Sequence, residues 1–342
     1  MKKTIEEVDN STNTIEKGFS TLLIDKKMVV GINTYFKNVN FDLIIYCTPP
    51  ITFLNVVKYI KKRDNAKTYL LLKDIFPQNA IDIGILKKTG IKGLVYKYFK
   101  NKEKQLYKIS DKIGCMSNEN MRYLLRMNSF IDSNKVEVFP NSIEIIDKRI
   151  DSLSKNKIRL KYNIPNDKRV FVYGGNLGKP QAINYFIEAL SKLINNKDAY
   201  FVIVGNGTEK KLVQDFIKKH LPNNIKLFDA MNKIEYDEFV SACDVGLVLL
   251  DYRFTIPNFP SRILSYMQAG LPIFAWTDKN TDLKDAINEG KFGWWHESNN
   301  INNFIDGINE ILSENLTKFS INSFNYLVNN YDIKKYYKKV LF

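Results

Sequence analysis

Cysteine and histidine are scarce in this sequence, and their scarcity excludes several kinds of site. Among 342 residues there are three cysteines and two histidines. Cys47, Cys115 and Cys243 are far apart in apolar surroundings, without the spacing of a disulfide framework or a metal-binding knot. His220 and His296 have no nearby Cys or His partner, so a histidine-based metal centre lacks ligands. We therefore expect a reducing, cytoplasmic compartment and no metal site.

Long uncharged apolar runs are also missing, and none approaches the roughly 20 residues that span a bilayer. The first ten residues, MKKTIEEVDN, carry acidic side chains where a signal peptide would place its apolar core. These two absences predict a protein that is neither secreted nor integral to a membrane.

Acidic residues are outnumbered by basic ones, and the excess is uneven along the chain. The net charge is +14. Residues 1–150 contain 26 Lys and Arg against 16 Asp and Glu, a net +10, and the remainder contains 25 against 21, a net +4. An acidic partner for the first half would suit this excess, and both an anionic membrane and a nucleic acid have the required sign.

Apolar runs rich in β-branched and aromatic residues alternate with amphipathic stretches in two successive arrays. This alternation predicts an α/β protein with parallel sheets and crossover helices. The predicted strands are 41–47, 68–74, 112–117 and 136–141 in the first array, and 169–175, 200–205, 225–230, 245–250 and 271–276 in the second. A charged stretch between the arrays sets a domain boundary near Ile145. We predict a first domain over 1–145, a second over 146–325, and a helix over 326–342 that can cross back to the first.

The first domain does not open like a doubly wound fold, which starts with a buried strand and a glycine-rich turn. Residues 1–16 are polar, and the first convincing strand is 41–47. Either 1–16 is a flexible arm on a smaller sheet, or an initial strand, turn and helix are absent. We favour the second interpretation.

A glycine-rich turn, FVYGGNLGKP, opens the second array. Its glycines let backbone N–H groups approach a ligand, and the helix N-terminus that follows favours an anion such as a diphosphate. We predict ligand contacts from Gly175, Asn176, Gly178 and Lys179, although such turns are common in any α/β domain. Gly205, in the next strand and turn, is also a candidate, but its pattern favours a role in the turn itself.

The segment FPSRILSYMQAGLPI places a proline, a serine and an arginine at the start of a predicted helix. Ser261, after Pro260, is a natural N-cap. Arg262 in the first turn opposes the helix dipole unless an anion lies beside it, which favours a bound phosphate. The alternative is an exposed arginine with its head group in water.

A polar loop, TDKNTD, follows the last predicted strand at its carboxyl end, where open α/β sheets bind ligands. Asn280, Thr281 and Asp282 offer donors and acceptors that suit sugar hydroxyls. For Asp282 the alternative is a cap on the helix that follows.

In the first array, polar residues follow two strands. Lys73 and Asp74 end one strand, and Thr48 and Pro49 follow another. We predict that Lys73, Thr48 and Pro49 help to bind an acceptor, and that Asp74 binds an acceptor hydroxyl or acts as a catalytic base. The alternative for Asp74 is a helix cap.

Residues 85–113 form a basic amphipathic stretch with interleaved Leu, Tyr and Phe. Such a surface can lie on anionic lipid. The alternative is a helix pair that covers the sheet with solvated lysines, and the +10 charge of the first half favours membrane contact. No RNA-binding module or glycine-aromatic signature accompanies the charge, so we expect no nucleic-acid partner.

Seven segments in this order, TPPITF, LLLKDIFPQNA, FPNS, YGGNLGK, VGNG, NFPSRILSYMQAGLP and TDKNTD, resemble the retaining family 4 glycosyltransferases. The resemblance is to the capsule and O-antigen branch that includes N-acetylfucosamine transferases. It implies the GT-B fold, two Rossmann-like domains with parallel sheets facing across a cleft. It also implies a nucleotide-sugar donor of the UDP-linked type, held mainly by the second domain without a metal ion. The acceptor would be an undecaprenyl-diphosphate-linked saccharide, met at the inner face of the cell membrane by a peripheral cytoplasmic enzyme.

The sequence departs from this family at three positions. Many members carry two glutamates where it has Pro257 and Ser265, and often an arginine where it has Asn176. The predicted function is transfer of a hexose or N-acetylated amino sugar to a lipid-linked acceptor in bacterial surface polysaccharide synthesis. The alternatives are a non-catalytic nucleotide- and membrane-binding subunit, or a shortened remnant of such an enzyme. A nucleotide-sugar epimerase of the same fold is a weaker alternative.

Overall fold

Each of the nine apolar runs predicted as a strand forms one in the computed structural model, which describes residues 14–340 and the side chains of 24–340. The first sheet contains β1 Leu43–Thr48, β2 Lys67–Leu72, β3 Lys112–Cys115 and β4 Val136–Val138. The second contains β5 Arg169–Gly174, β6 Ala199–Val204, β7 Ile225–Phe228, β8 Val245–Leu249, β9 Ile273–Thr277 and β10 Gly293–Glu297. β10 was not predicted. The interpretation of 1–16 as an arm or a missing strand falls mainly outside the described residues.

Helices connect and cover these strands. They are α1 Thr14–Tyr35, α2 Leu54–Asp64, α3 Gln78–Asp82, α4 Gly90–Ile109, α5 Asn118–Met127, α6 Ser152–Lys161, α7 Ile183–Lys192, α8 Lys210–His220, α9 Lys233–Ser241, α10 Ile263–Gln268, α11 Leu283–Gly290, α12 Ile301–Ser313 and α13 Thr317–Asn330. Among the described helices, none is both long and apolar enough to cross a membrane.

Both sheets are parallel throughout, as the continuous apolar runs indicate. The first has the order β1-β2-β3-β4, and the second has the order β10-β9-β8-β5-β6-β7. In the second sheet the chain runs outward from β5 in one direction and returns on its other side at β8. Open α/β sheets bind ligands at such a switch point, outside the carboxyl ends of the two strands. The ligand site is therefore expected beyond Gly174 and Leu249.

Apolar side chains form three buried clusters. Two of them cover the two faces of the second sheet. The third fills the first domain between its sheet and helices, and it also contains Leu250, Phe254 and Ile256 from the loop after β8. Because Phe254 and Ile256 are almost completely buried there, the second domain is anchored in the core of the first.

The C-terminal segment lies along the boundary of the two domains. The helix predicted over 326–342 is wrong in its bounds, since α13 ends at Asn330 and two 3-10 turns follow. Ile143 N donates to Tyr331 O over 2.9 Å, and Lys339 Nζ donates to Val138 O over 2.9 Å. The segment after α13 thus contacts the chain just after β4 and the end of β4 itself.

Candidate functional site

A cavity of about 670 Å³ lies between the two domains, at the carboxyl ends of β2, β5 and β8. The first domain lines it with Lys73, Asp74, Phe76, Asn79, Ala80, Ile83, Ile85 and Asn141. The second lines it with Gly174, Gly175, Asn176, Pro180, Gln181, Leu250, Phe254, Asn258, Phe259, Pro260, Ser261 and Arg262. The volume of the cavity is that of a small-molecule site, and its wall combines apolar surface with a few polar groups.

The glycine-rich turn after β5 forms part of this wall, through Gly175 and Asn176. Gly178 and Lys179 follow but do not line the cavity, and Lys179 is exposed. Gly205 packs behind the turn. Its φ is +150°, and a Cβ there would lie 1.9 Å from the carbonyl oxygen of Gly175. Only glycine fits so close to a neighbouring backbone, so Gly205 shapes the turn, as its pattern favoured.

The Arg262 side chain also lies beside the glycine-rich turn. Its guanidinium carbon is 4.6 Å from the centroid of the Tyr173 ring, an arrangement that holds a cation over an aromatic face. A Cβ on Gly175 would lie 3.5 Å from that carbon. The Nη1 atom is buried without a hydrogen-bond partner among the described residues. A buried donor of this kind requires an acceptor, and an anionic oxygen in the cavity would supply one.

Ser261 does not cap a helix, and that prediction is wrong. α10 has six residues and starts at Ile263, with Arg262 in the N-cap position. Arg262 already has helical dihedral angles, φ −60° and ψ −25°, so the turn closes through the Ser261 carbonyl oxygen, which accepts from Leu264 N over 3.1 Å. Ser261 and Pro260 both line the cavity.

The side chains of the polar loop after β9 form hydrogen bonds with other parts of the protein. Asn280 Nδ2 donates to the Phe254 carbonyl oxygen, and Thr281 Oγ1 donates to that of Asn258. Asp282 makes no capping bond to α11; its Oδ2 accepts from Glu119 N, in the first turn of α5, over 3.1 Å. The three residues are absent from the cavity wall, and they hold the loop of 254–258 and the first domain in place.

The loop itself is organised by Asp278, which the sequence did not single out. Its Oδ1 accepts from Asn280 N over 2.8 Å and from Thr281 N over 3.1 Å. Its side chain is completely buried, and burial raises the pKa of this carboxyl to about 7. A polar residue at the end of a buried strand was the available signal.

Asp74 provides a carboxyl group in the cavity wall. α3 starts at Gln78, with Pro77 at its N-cap, so the alternative of a helix cap at Asp74 is excluded. Burial raises the pKa of Asp74 to about 6. Its side chain has no hydrogen-bond partner in the described part of the chain. This group therefore changes its charge near neutral pH, as a catalytic base does.

The neighbours of Asp74 fix its backbone. Thr48 Oγ1 donates to the Asp74 carbonyl oxygen over 3.3 Å, and Asp74 N donates to Thr48 O over 3.1 Å. Thr48 and Pro49 do not line the cavity, so their observed role is to position the end of β2. Lys73 does line it, and its amine donates to Asn141 Oδ1.

Three asparagines line the cavity that the sequence analysis did not predict as site residues. Asn141 belongs to the FPNS segment, and its Nδ2 donates to Phe259 O across the domain boundary over 3.3 Å. Asn79 has a buried Oδ1 without a partner among the described residues. Asn258 comes just before the FPSR segment. Each lies in or beside a quoted motif, but asparagine in a loop is too common to be assigned without the fold.

Residues 85–113 contain one long helix, α4, and the start of β3, so the alternative of a helix pair is wrong. The C-terminal half of α4 is packed on the first domain through Glu103, Leu106 and Tyr107, which are buried. The N-terminal half carries exposed apolar side chains between its lysines.

Comparison with known proteins gives relatives of one kind. A sequence model of the family described as glycosyl transferases group 1 matches residues 154–326. The chain is 26% identical over 259 residues to "Probable glycosyltransferase WbjE" of Pseudomonas aeruginosa, covering 74% of this chain and 62% of that protein. It is 23% identical over 236 residues to WcaI of Escherichia coli K12, whose name places it in colanic acid biosynthesis, covering 67% and 56%. The alignments thus cover less than two thirds of either relative's length.

A solved structure shares the fold. HepE of Anabaena, in complex with UDP-glucose, superimposes with a TM-score of 0.68 at 17% identity, covering 93% of this chain and 80% of that one. The predicted pair of parallel α/β domains facing a cleft is confirmed by this likeness and by the two sheets.

Proposed function

Because the chain belongs to the group 1 glycosyl transferase family, we propose that it transfers a sugar from a nucleotide-sugar donor to a lipid-linked saccharide. The donor would be a UDP-linked hexose or N-acetylated amino sugar, bound without a metal ion and transferred with retention, as in family 4. The acceptor would be an undecaprenyl-diphosphate saccharide of bacterial capsule or O-antigen synthesis. The enzyme would work as a peripheral protein on the inner face of the membrane, held there through residues 85–113.

The observation that carries this proposal is that the cavity wall presents a cationic group from one domain and a carboxyl group from the other. The second domain offers Arg262 beside the Gly175 turn, and its Nη1 has no hydrogen-bond partner among the described residues, which suits a diphosphate. The first domain offers the Asp74 carboxyl, which no described residue pairs with and which suits a sugar hydroxyl. Donor and acceptor would then meet in one cavity, with cationic stabilisation of the departing nucleotide.

Two features support a UDP-type donor and the proposed acceptor. The solved relative HepE was crystallised with UDP-glucose and shares the fold. WbjE and WcaI carry glycosyltransferase names, and the name of WcaI refers to colanic acid biosynthesis. A non-catalytic binding protein is the second candidate, because Pro257 and Ser265 replace two carboxylates common in family 4.

Nucleotide binding tests the donor site. A ligand at about 100 times its Kd stabilises the folded state by about 2.7 kcal/mol, so saturating UDP should raise the Tm of the chain by several degrees. Arg262→Gln should abolish most of this rise, and Lys179→Gln should reduce it less, because Lys179 lies outside the cavity wall.

Arg149→Gln is a matched control. Arg149 also lies over an aromatic ring, 4.2 Å from the centroid of Phe324, and does not line the cavity. It should leave the UDP-induced rise unchanged. The absence of a shift with UDP in the unmodified chain would refute the donor site.

A further inference from the structure

The first sheet ends in an edge strand that carries no charge along its whole length. β1, with the sequence LIIYCT, lies at the end of the order β1-β2-β3-β4. The other edge strands that the structure describes each contain a charged residue: Glu137 in β4, Lys226 in β7 and Glu297 in β10. Proteins protect sheet edges with charges or proline, because an open apolar edge pairs with other chains. β1 has neither, and its Ile45 is 50% exposed.

The backbone of this edge has free hydrogen-bonding groups. Lys67 N donates to Asp42 O over 2.8 Å, so Asp42 and every second residue after it direct their backbone groups toward β2. The N–H and C=O groups of Leu43, Ile45 and Cys47 consequently point away from the sheet. None of them has a hydrogen-bond partner in the described part of the chain. A further polypeptide strand can therefore pair with this edge.

Helix α1 extends past this edge on one face of the sheet. α2 packs against α1 on one side and against α4 on the other, which places α1 beyond β1. The hydroxyl of Tyr59, on α2, donates to Asn33 Oδ1, so Asn33 marks the flank of α1 that faces α2. Ile24, Met28 and Tyr35 share the opposite flank by their helical spacing. They are 37%, 39% and 69% exposed.

The free edge of β1 and this flank of α1 form a notch, with Ile45 on one side and Ile24, Met28 and Tyr35 on the other. Gly31 lies on the same flank, and a Cβ there would meet nothing within 4 Å, so the space beside the helix is open. A strand paired with β1 would lie about 4.8 Å from it, under α1. Every second side chain of that strand would point at the apolar flank and cover it.

The notch suits a single strand better than a second copy of this chain. Two copies paired through β1 would be related by a two-fold axis normal to the sheet, which brings both α1 helices to the same face. Each α1 already extends over the space that the other would need. A single strand brings no such helix. The superposition on HepE covers 80% of that chain, so a protein of this fold has further chain with which to cover such an edge.

We propose that the notch binds an extended apolar segment of another polypeptide, which adds a strand to the first sheet beside β1. The main-chain groups of Leu43, Ile45 and Cys47 supply the affinity, and the flank of α1 selects apolar side chains at every second position. None of the residues of the notch lines the cavity between the domains. The interaction is therefore independent of the proposed function, and its tests do not depend on UDP binding.

A labelled peptide of about seven residues, with valine and threonine alternating between terminal lysines, tests the notch. In fluorescence anisotropy the full chain should bind it at least roughly tenfold more tightly than a glycine-serine peptide of the same length and charge. Ile45→Pro should remove this preference, because a proline whose nitrogen faces away from the sheet keeps the strand but cannot donate to a new one. Ile45→Val should retain it.

A pair of lysine variants tests the same position if the proline variant fails to fold. Ile45→Lys should weaken peptide binding at least roughly tenfold, since a lysine on an edge strand opposes pairing. Ile234→Lys is the matched control, because Ile234 is 83% exposed on α9 of the second domain, and it should bind as the unmodified chain does. Equal affinities for the two peptides, or equal loss in the two lysine variants, would overturn the proposal.

Hydrogen exchange separates this occupant from the others. In the free chain the amides of Ile45 and Cys47 should exchange at least roughly 100-fold faster than those of Ile44 and Tyr46, which face β2, and the valine-threonine peptide should slow them. Slow exchange of Ile45 and Cys47 in the free, dilute chain would show that another part of this chain covers the edge. Slow exchange that appears only at high concentration, with a dimer in sedimentation, would assign the notch to a second copy. Either result would overturn the proposal.

Discussion

At the scale of single residues, Asp74 and Arg262 have unusual environments for charged groups. Asp74 lines the cavity, its carboxyl has no partner in the part of the chain that the structure describes, and burial raises its pKa to about 6. Arg262 is held over Tyr173, and its Nη1 finds no hydrogen-bond partner among the described residues. Buried charged groups are usually paired, because an unpaired one costs folding free energy. Such exceptions are typical of groups that meet a ligand.

The raised pKa of Asp74 predicts how transfer depends on pH. If Asp74 acts as the base, the rate should rise between pH 5 and 7 with a midpoint near 6, as the carboxyl ionises. Asp74→Asn should lower the rate about 100-fold and remove this midpoint. Rates measured from pH 5 to 8 check both effects.

Two comparisons separate this effect from unfolding. The folded-state pKa of Asp74 lies above its ordinary value of 3.8, so ionisation weakens folding as the pH rises from about 4 to 6. Asp74→Asn should therefore keep or raise the Tm at pH 7.5. Asp278→Asn, outside the cavity wall, should leave the midpoint near 6. A midpoint that persists in Asp74→Asn would assign the titration to another group.

At the scale of elements, the turns after β5 and β6 depend on each other. Gly205 has a φ of +150°, and a Cβ there would collide with the Gly175 backbone; a Cβ on Gly175 would in turn contact Arg262. The shape of the cavity wall at Gly175 therefore depends on Gly205, which lies in the neighbouring turn.

Gly205→Ala tests this dependence. The new Cβ would combine an unfavourable φ with a clash against backbone, and should lower the unfolding free energy by about 2 kcal/mol or more. It should also weaken the UDP-induced rise in Tm, because Gly175 must move. Gly90→Ala is the control: its φ is +63° and nothing lies within 4 Å of the new Cβ. It should cost about 1 kcal/mol and leave the UDP response intact. Similar effects of the two substitutions on UDP binding would argue against the coupling.

Strands buried on both faces carry the strongest signal in the sequence. β5, β6 and β8 are continuous apolar runs, and their identity as strands follows from composition. β10, with the sequence GWWHE, lies at the sheet edge and mixes aromatic with polar residues, so no such run marks it. Motifs at the carboxyl ends of strands contain many of the residues that line the cavity.

Which side chains of that region face the cavity depended on contacts that are distant in sequence. The sequence predicts Asn280 and Thr281 as sugar ligands. In the structure their side chains donate hydrogen bonds to the loop of 254–258 instead. Asp282 likewise accepts a hydrogen bond from α5 of the other domain. Ser261 had the chemistry of a cap, but the local turn closed through its backbone.

At the scale of the whole molecule, one loop joins the two domains beside the cavity. Thr255 N donates to Asp82 Oδ2 over 2.8 Å, and Asn120 Nδ2 donates to Pro257 O over 3.2 Å. With Phe254 and Ile256 buried in the first domain, the chain that leads to Arg262 is fixed against the wall that carries Asp74. The domains thus set the distance between the proposed donor and acceptor groups.

The central claim is that the cavity joins a nucleotide sugar to a lipid-linked acceptor. The most direct measurement incubates the full chain with bacterial membrane lipid extract and a panel of UDP-linked sugars, radiolabelled in the sugar, and counts label in the organic phase. We expect label from one of these donors, reduced at least about tenfold by Arg262→Gln and about 100-fold by Asp74→Asn. A chain that binds UDP but transfers label from none of the panel would contradict this claim and favour a non-catalytic binding protein.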